Sequence, residues 1–75
     1  MQLKTVSQLR KGETGIIKSF TDSALSLKLL EMGCLPGSEV RLDAIAPLGD
    51  PICISVSGQY SLSLRLNEAS VIVLE

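Results

Sequence analysis

The stretch ICISVSGQYSLSLRL, residues 52–66, determines the fold class of this 75-residue chain. Two runs within it, 52–57 and 60–66, alternate apolar with small or polar residues and flank the dipeptide Gly58-Gln59. Alternation with a period of two predicts strands that bury one face. A glycine between two such runs favours a tight turn because it tolerates a positive φ. The stretch therefore predicts a β-hairpin.

Three further segments continue the β-rich pattern on either side of this hairpin. The segment 13–20 is short, contains β-branched residues and follows Gly12, which is typical of a strand entered through a turn. In residues 40–46 the even-numbered positions are apolar and are expected to share the buried face. Residues 71–74 are apolar throughout, which predicts a strand that is central or covered on both sides.

One helix is expected before these later strands, over residues 22–32. Asp22 can accept hydrogen bonds from the first turn as its N-cap, and apolar side chains recur along the segment at spacings of four and three. Gly33 follows the last of them, where a left-handed residue can end the helix. Pro36 and Gly37 then form a turn.

Two shorter helical turns complete the expected secondary structure. One covers residues 6–10, capped by Ser7 with Leu9 pointing into the core, and the other is a short turn of helix at 67–69, just before the last strand. Five short strands and one helix in 75 residues cannot form a sandwich of two full sheets. We therefore predict a mainly β fold, a small, partly closed SH3-like barrel that occupies residues 1–75 as a single domain.

The composition argues against several functional classes. The chain has no His and no Trp, so it lacks the usual general base and the commonest transition-metal ligand, and we expect no enzymatic activity and no cofactor. Two aromatic residues and a net charge of −1 argue against nucleic acid as a partner. No stretch approaches the roughly 20 apolar residues that cross a bilayer, and the start of the chain lacks a secretory apolar region. We expect a cytoplasmic protein with two reduced cysteines.

Three strings in this sequence resemble the FeoA family: KLLEMGCLPGSEV at 28–40, APLGDPICISV at 46–56 and SLRLNEASVIVL at 63–74. This family comprises the small ferrous iron transport protein A domains of bacterial Feo systems. The resemblance implies an SH3-like barrel in the cytoplasm that reaches the inner membrane through its partner, the FeoB permease. It also implies an accessory role in ferrous iron uptake, with the GTPase domain of FeoB as one candidate point of action.

The candidate partner-binding residues lie in two turns. After the helix, apolar side chains surround a rigid corner and are expected to anchor a partner. The Gly49-Asp50-Pro51 turn is expected to flank a contact groove, as corresponding loops do in SH3 barrels, but two aromatic residues are too few for proline-rich ligands. The candidates are Leu30, Met32, Cys34, Leu35, Pro36, Gly49, Asp50 and Pro51.

Direct binding or sensing of a transition metal, ferrous iron, is the alternative function. Without His, only carboxylates and the two thiols remain as ligands. Asp43 with Glu39 or Asp50 could meet at one rim of the barrel, but their spacing predicts no compact ligand set. Weak homo-oligomer formation also stays open at this point.

Overall fold

The structure, a computed structural model, describes residues 4–75. A 3-10 turn at Val6–Gln8 comes first, and the elements that follow are β1 (Thr14–Phe20), α1 (Ser23–Glu31), β2 (Glu39–Ile45), β3 (Ile52–Val56), β4 (Tyr60–Leu64), α2 (Leu66–Ala69) and β5 (Ile72–Leu74). The strands form one antiparallel sheet in the order β4-β3-β2-β1-β5. The mainly β prediction is confirmed, with the helix and the helical turn in their expected places. The sheet itself is not closed.

Strand β1 joins the two halves of the sheet because it bends. Its first half pairs with β2 and its second half pairs with β5, with a register shift between Ile17 and Ser19. Such an irregularity increases the local twist, which lets a short sheet curl around a core. That core is formed by fully or almost fully buried apolar side chains: Val6, Leu9, Ile17, Leu29, Cys34, Val40, Leu42, Ile52, Ile54, Val56, Leu64, Ala69, Ile72 and Leu74.

Helix α1 begins and ends as its sequence predicts. Asp22 Oδ1 accepts a hydrogen bond from Leu25 N at 3.0 Å, which caps the first turn. At the other end Gly33 has a φ of +100°. The N–H groups of Gly33 and Cys34 donate to the carbonyls of Leu30 and Leu29, the pair of bonds of a Schellman motif.

The predicted buried face of residues 40–46 is only half correct. Val40 and Leu42 are buried, whereas Ala44 is exposed and Ala46 lies beyond the strand. Leu42 pairs with Ile54 but Ala44 pairs with the adjacent Cys53, so β2 contains one extra residue. The extra residue puts Ala44 on the face opposite to the one that the alternation predicted.

The hairpin turn lies one residue earlier than predicted. Ser57 and Gly58 are its central residues, with φ values of +54° and +66°, and Gln59 N donates to Val56 O at 3.0 Å. Two positive φ angles match the right-handed twist of the flanking strands. Gly58 therefore occupies the second central position of the turn.

Two further boundaries differ from the prediction. Strand β4 ends at Leu64 and Leu66 already belongs to α2, whereas the alternating pattern suggested a strand through residue 66. The first helical turn is capped by Thr5 and not by Ser7, because Thr5 N donates to Gln8 Oε1 at 2.9 Å. Leu9 is buried beside this turn, as expected.

Strand β5 is an end strand of the sheet, so of the two predicted alternatives, central or covered on both sides, the central position does not apply. It is nevertheless buried at every position, which agrees with the expectation that both sides are covered. Thr5 forms an isolated bridge with Val73, and Leu74 N donates to Lys4 O at 2.8 Å. The segment before the first turn therefore covers the outer edge of β5.

Candidate functional site

A surface cleft brings together parts of both predicted turns. It has a volume of about 300 Å³ and lies between the end of α1, the residue before β3, the end of β4 and α2. Of the predicted residues, Met32 and Pro51 line it. The other lining residues are Lys28, Ser63, Leu64, Arg65 and Glu68.

Apart from Met32, the candidate residues of the corner after α1 lie outside this cleft, and three of them are exposed. Leu30 is 38% exposed and Leu35 is 51% exposed, and Pro36 is also exposed. The corner is fixed to the sheet because Tyr60 Oη donates a hydrogen bond to Gly33 O at 2.8 Å. These residues form an apolar rim rather than a pocket.

Cys34 does not belong to this surface. Its side chain is fully buried in the core. Burial, and after it the negative charge of Glu68, raise the pKa of the Cys34 thiol. A partner that docks on the folded chain cannot contact this side chain, so the exposed candidates at the corner are Leu30, Leu35 and Pro36.

The Gly49-Asp50-Pro51 segment forms the expected turn and is tied to α2. Gly49 has a φ of +89° and its N–H donates to Ala46 O at 2.7 Å. Asp50 Oδ1 accepts a hydrogen bond from Leu66 N at 3.1 Å, which satisfies a free N–H in the first turn of α2. This bond holds Pro51 at the edge of the cleft.

A nearly buried carboxylate organises the charges of the cleft. The Glu68 side chain is 7% exposed, Lys28 Nζ lies 2.6 Å from its Oε2, and Arg65 N donates to its Oε1 at 2.9 Å. The hydrogen bond from Lys28, and after it the one from the Arg65 backbone, lower the pKa of Glu68. Glu68 is therefore an anion at neutral pH whose two oxygens are already occupied.

The sequence offered no signal for most of the cleft. Lys28 and Glu68 stand forty positions apart in the chain, and no local pattern connects them. Arg65 directly follows the leucine–serine alternation of residues 61–64 and belongs to no local motif. The tertiary fold, and not a motif, brings these side chains together.

The carboxylates considered for a metal site do not form one in the part of the chain that the structure describes. Among residues 4–75, no three His, Cys, Asp or Glu side chains are grouped closely enough to hold a metal ion. Asp43 instead accepts hydrogen bonds from Ser55 Oγ and from Arg41 Nε, the latter at 2.8 Å. The Ser55 hydroxyl, and after it the Arg41 guanidinium, lower the pKa of Asp43.

Among residues 4–75, no helix has both the length and the apolar character needed to cross a membrane.

The open, strongly bent five-stranded sheet with one helix inserted between β1 and β2 is that of a small SH3-like β domain. The family model for the FeoA domain matches residues 4–75, and the chain belongs to the FeoA family. The resemblance found in the sequence is thereby confirmed. This family is associated with ferrous iron transport and is not a known family of enzymes.

Several solved structures are similar to this chain over almost its full length. A FeoA-like protein from Clostridium acetobutylicum has 32% identity and a TM-score of 0.85, and the match covers 100% of this chain and 88% of that one. Iron(II) transport protein A from Clostridium thermocellum has 37% identity and a TM-score of 0.86, over 96% of this chain and 44% of that one. Stenotrophomonas maltophilia FeoA has 30% identity and a TM-score of 0.80, over 96% and 89% of the two chains. That protein was solved with zinc and is described as an SH3 domain protein and a candidate activating factor for ferrous iron transport.

Proposed function

We propose that this chain is a cytoplasmic protein-interaction module that acts on the cytoplasmic part of a FeoB-type ferrous iron permease. The observation that carries the proposal is the outward-facing apolar surface of α1 and the corner that follows it. Leu27 is 62% exposed, and Leu30 and Leu35 are exposed as well. Membership of a family associated with ferrous iron transport supports this choice of partner.

Helix α1 divides its leucines between two faces. Leu29 is fully buried and Leu25 packs partly against the core, so these two anchor the helix. Leu27 and Leu30 lie three positions apart and therefore share another face, which points away from the core. When a partner covers exposed apolar surface, the free energy of binding becomes more favourable by roughly 25 cal/mol per Å² buried. We propose that this outer face, with Leu35 and Pro36, contacts the permease.

The interior of the sheet supports action through the outer surface. Ile17, Ile54 and Leu64 are fully buried and fill the space that the bent strands enclose. Because aliphatic side chains fill the interior, we propose that the chain acts through contacts at its outer surface. Modulation of the GTPase domain of the permease is the form of this action that we propose.

The test measures binding of the full permease, held in lipid nanodiscs, to the wild-type chain and to Leu30→Asp. Because loss of a central contact typically costs 2 kcal/mol or more, the variant should bind about thirtyfold or more weakly. Thr14→Asp is the matched control, since Thr14 is an exposed residue of β1 opposite Arg41 and gains the same carboxylate. Circular dichroism confirms that both variants fold. Equal affinities of wild type, Leu30→Asp and Thr14→Asp, or no binding at all, would refute the proposal.

Two additional measurements separate this proposal from the alternative. GTP hydrolysis by the permease, measured with and without the chain, tests the proposed action on the GTPase domain. Anaerobic addition of ferrous iron to the chain alone tests direct metal binding. A metal-binding domain should gain about 2.7 kcal/mol of stability at a hundred times its dissociation constant, whereas an interaction module should show no change.

A further inference from the structure

The two outer edges of the sheet differ in how they are covered. The edge of β5 pairs with the segment that carries Thr5, through the bridge to Val73 and the bond from Leu74 N to Lys4 O. Strand β4 lies at the other end and pairs only with β3. Within residues 4–75, no backbone group of β4 bonds to any segment on its outer side. One edge is therefore covered and the other is open.

The open edge also lacks the features that usually protect such strands. Natural proteins protect exposed edges with charged residues, prolines or bulges. Strand β4 reads YSLSL from Tyr60 to Leu64, with neither a charge nor a proline, and its pairing with β3 runs without a register shift. A regular, uncharged edge of five residues can accept another extended strand.

The cleft lies at the C-terminal end of this edge. Ser63 and Leu64 belong to both β4 and the cleft, and Met32 and Pro51 add apolar surface beside them. The edge supplies backbone hydrogen-bonding groups along the strand, and the cleft supplies a place for a side chain at its end. The two features therefore form one continuous surface.

The charges of the cleft favour an acidic side chain. Both oxygens of Glu68 are engaged by Lys28 and by the Arg65 backbone, and Asp50 accepts from Leu66 N. The Arg65 side chain is exposed and makes no ion pair within residues 4–75. An arginine without a partner offers charge-assisted hydrogen bonds to an incoming carboxylate.

We infer that β4 and the cleft bind one extended segment of the permease, which adds to β4 as a further strand and places an acidic side chain against Arg65. This inference rests on the proposed function and specifies the recognised element. A helix does not fit, because its backbone groups are paired within itself and cannot bond to the edge. A second copy of β4 would leave the Arg65 side chain without a carboxylate from the added strand.

Hydrogen exchange measured by mass spectrometry tests the strand addition. The chain is compared alone and with the full permease in lipid nanodiscs. Peptides that cover β4 should exchange more slowly in the complex, and peptides that cover β5 should exchange at the same rate in both states. Binding without any slowing in β4 would overturn the inference. Slowing that appears without the permease and grows with chain concentration would also overturn it, in favour of self-association.

Arg65→Gln tests the acidic contact. Loss of a hydrogen bond to a charged group should weaken permease binding by about tenfold or more. Lys18→Gln is the matched control, because Lys18 is exposed in β1, which lies three places from β4 in the sheet order, and its substitution removes the same charge. Its affinity should stay within about twofold of wild type, as is usual for surface substitutions. Equal weakening by both variants would overturn the inference.

These experiments distinguish failure of this inference from failure of the proposed function. If Leu30→Asp weakens binding while Arg65→Gln does not, the function stands and this inference falls. If the permease does not bind at all, a permease segment cannot be the occupant, and synthetic peptides with alternating valine and aspartate, or valine and lysine, then test on the chain alone the inferred recognition of an acidic strand by β4 and the cleft. Chemical-shift changes in β4 and the cleft with the aspartate peptide only would support it. The same response to both peptides, or no response to either, would overturn it.

Discussion

Replacing Gly33 with alanine should destabilise the fold at the point where α1 turns back to the sheet. Gly33 has a φ of +100°, a conformation that side chains with a Cβ rarely adopt. A Cβ built on this residue would lie 2.2 Å from Tyr60 Oη and 2.9 Å from Tyr60 Cζ. The new methyl group therefore displaces the ring whose hydroxyl donates to Gly33 O at 2.8 Å.

The magnitude follows from these two effects, and Gly37 separates them. Gly37 has a φ of +92°, but a Cβ there meets no atom within 4 Å. Gly37→Ala should therefore cost only the backbone strain, about 1–2 kcal/mol. Gly33→Ala should cost this and also the hydrogen bond from Tyr60, about 0.5–1.5 kcal/mol, which gives about 1.5–3.5 kcal/mol in all.

Urea denaturation followed by far-ultraviolet circular dichroism measures both free energies of unfolding. The midpoint should fall further for Gly33→Ala than for Gly37→Ala, with little change in the slope m. In a Tyr60→Phe background the hydroxyl is absent, so the cost of Gly33→Ala should fall by the hydrogen-bond contribution of about 0.5–1.5 kcal/mol, while the 2.9 Å approach to the ring carbon Cζ remains. Equal costs for the two glycine variants in the wild-type background would refute the argument from the Tyr60 contact.

Two further predictions concern ionisable groups. The pKa of Glu68 lies below its ordinary value of 4.5, so the stability that this carboxylate contributes is present at neutral pH and is lost as the pH falls below about 4.5. Glu68→Gln should lower the midpoint temperature of thermal unfolding at pH 7, and this midpoint should then fall less between pH 7 and pH 3 than it does in the wild type. Midpoints that fall in parallel for the two proteins would contradict this. The Cys34 thiol is buried and its pKa is raised, whereas Cys53 is half-buried. Ellman's reagent should therefore label Cys53 in the native chain about tenfold or more faster than Cys34. Each rate is measured in a variant that keeps only one thiol, Cys34→Ser for Cys53 and Cys53→Ser for Cys34. Equal rates would contradict the burial argument.

The helix was predictable because its determinants are local. Asp22 and Gly33 act on the residues immediately beside them, and the apolar spacing between these two ends fixes which face is buried. The strands were predictable for the same reason, since alternation is read within a few residues. The resemblance to the FeoA family then supplied the SH3-like architecture, which local patterns could only suggest.

The bulge in β2 and the cleft were not predictable from local patterns. The sequence around Asp43 does not predict that Ala44 faces solvent, because a bulge depends on the register between two paired strands. The pair of Lys28 with Glu68 depends on α1 and α2 approaching each other in the folded chain. Cys34 was a candidate for partner binding because it lies beside the corner after the helix, whereas the Schellman motif directs its side chain into the core.

The contacts that fix α1 also determine how well the proposed surfaces can bind. Leu29 in the core, the bond from Tyr60 to Gly33 and the pair of Lys28 with Glu68 hold the helix at three points. A surface that is already ordered loses less conformational entropy when a partner covers it. Gly33→Ala and Glu68→Gln should therefore weaken permease binding without altering an apolar side chain of the outer face. If both variants bind as tightly as wild type while unfolding more easily, these contacts stabilise the fold but do not pre-organise the surface.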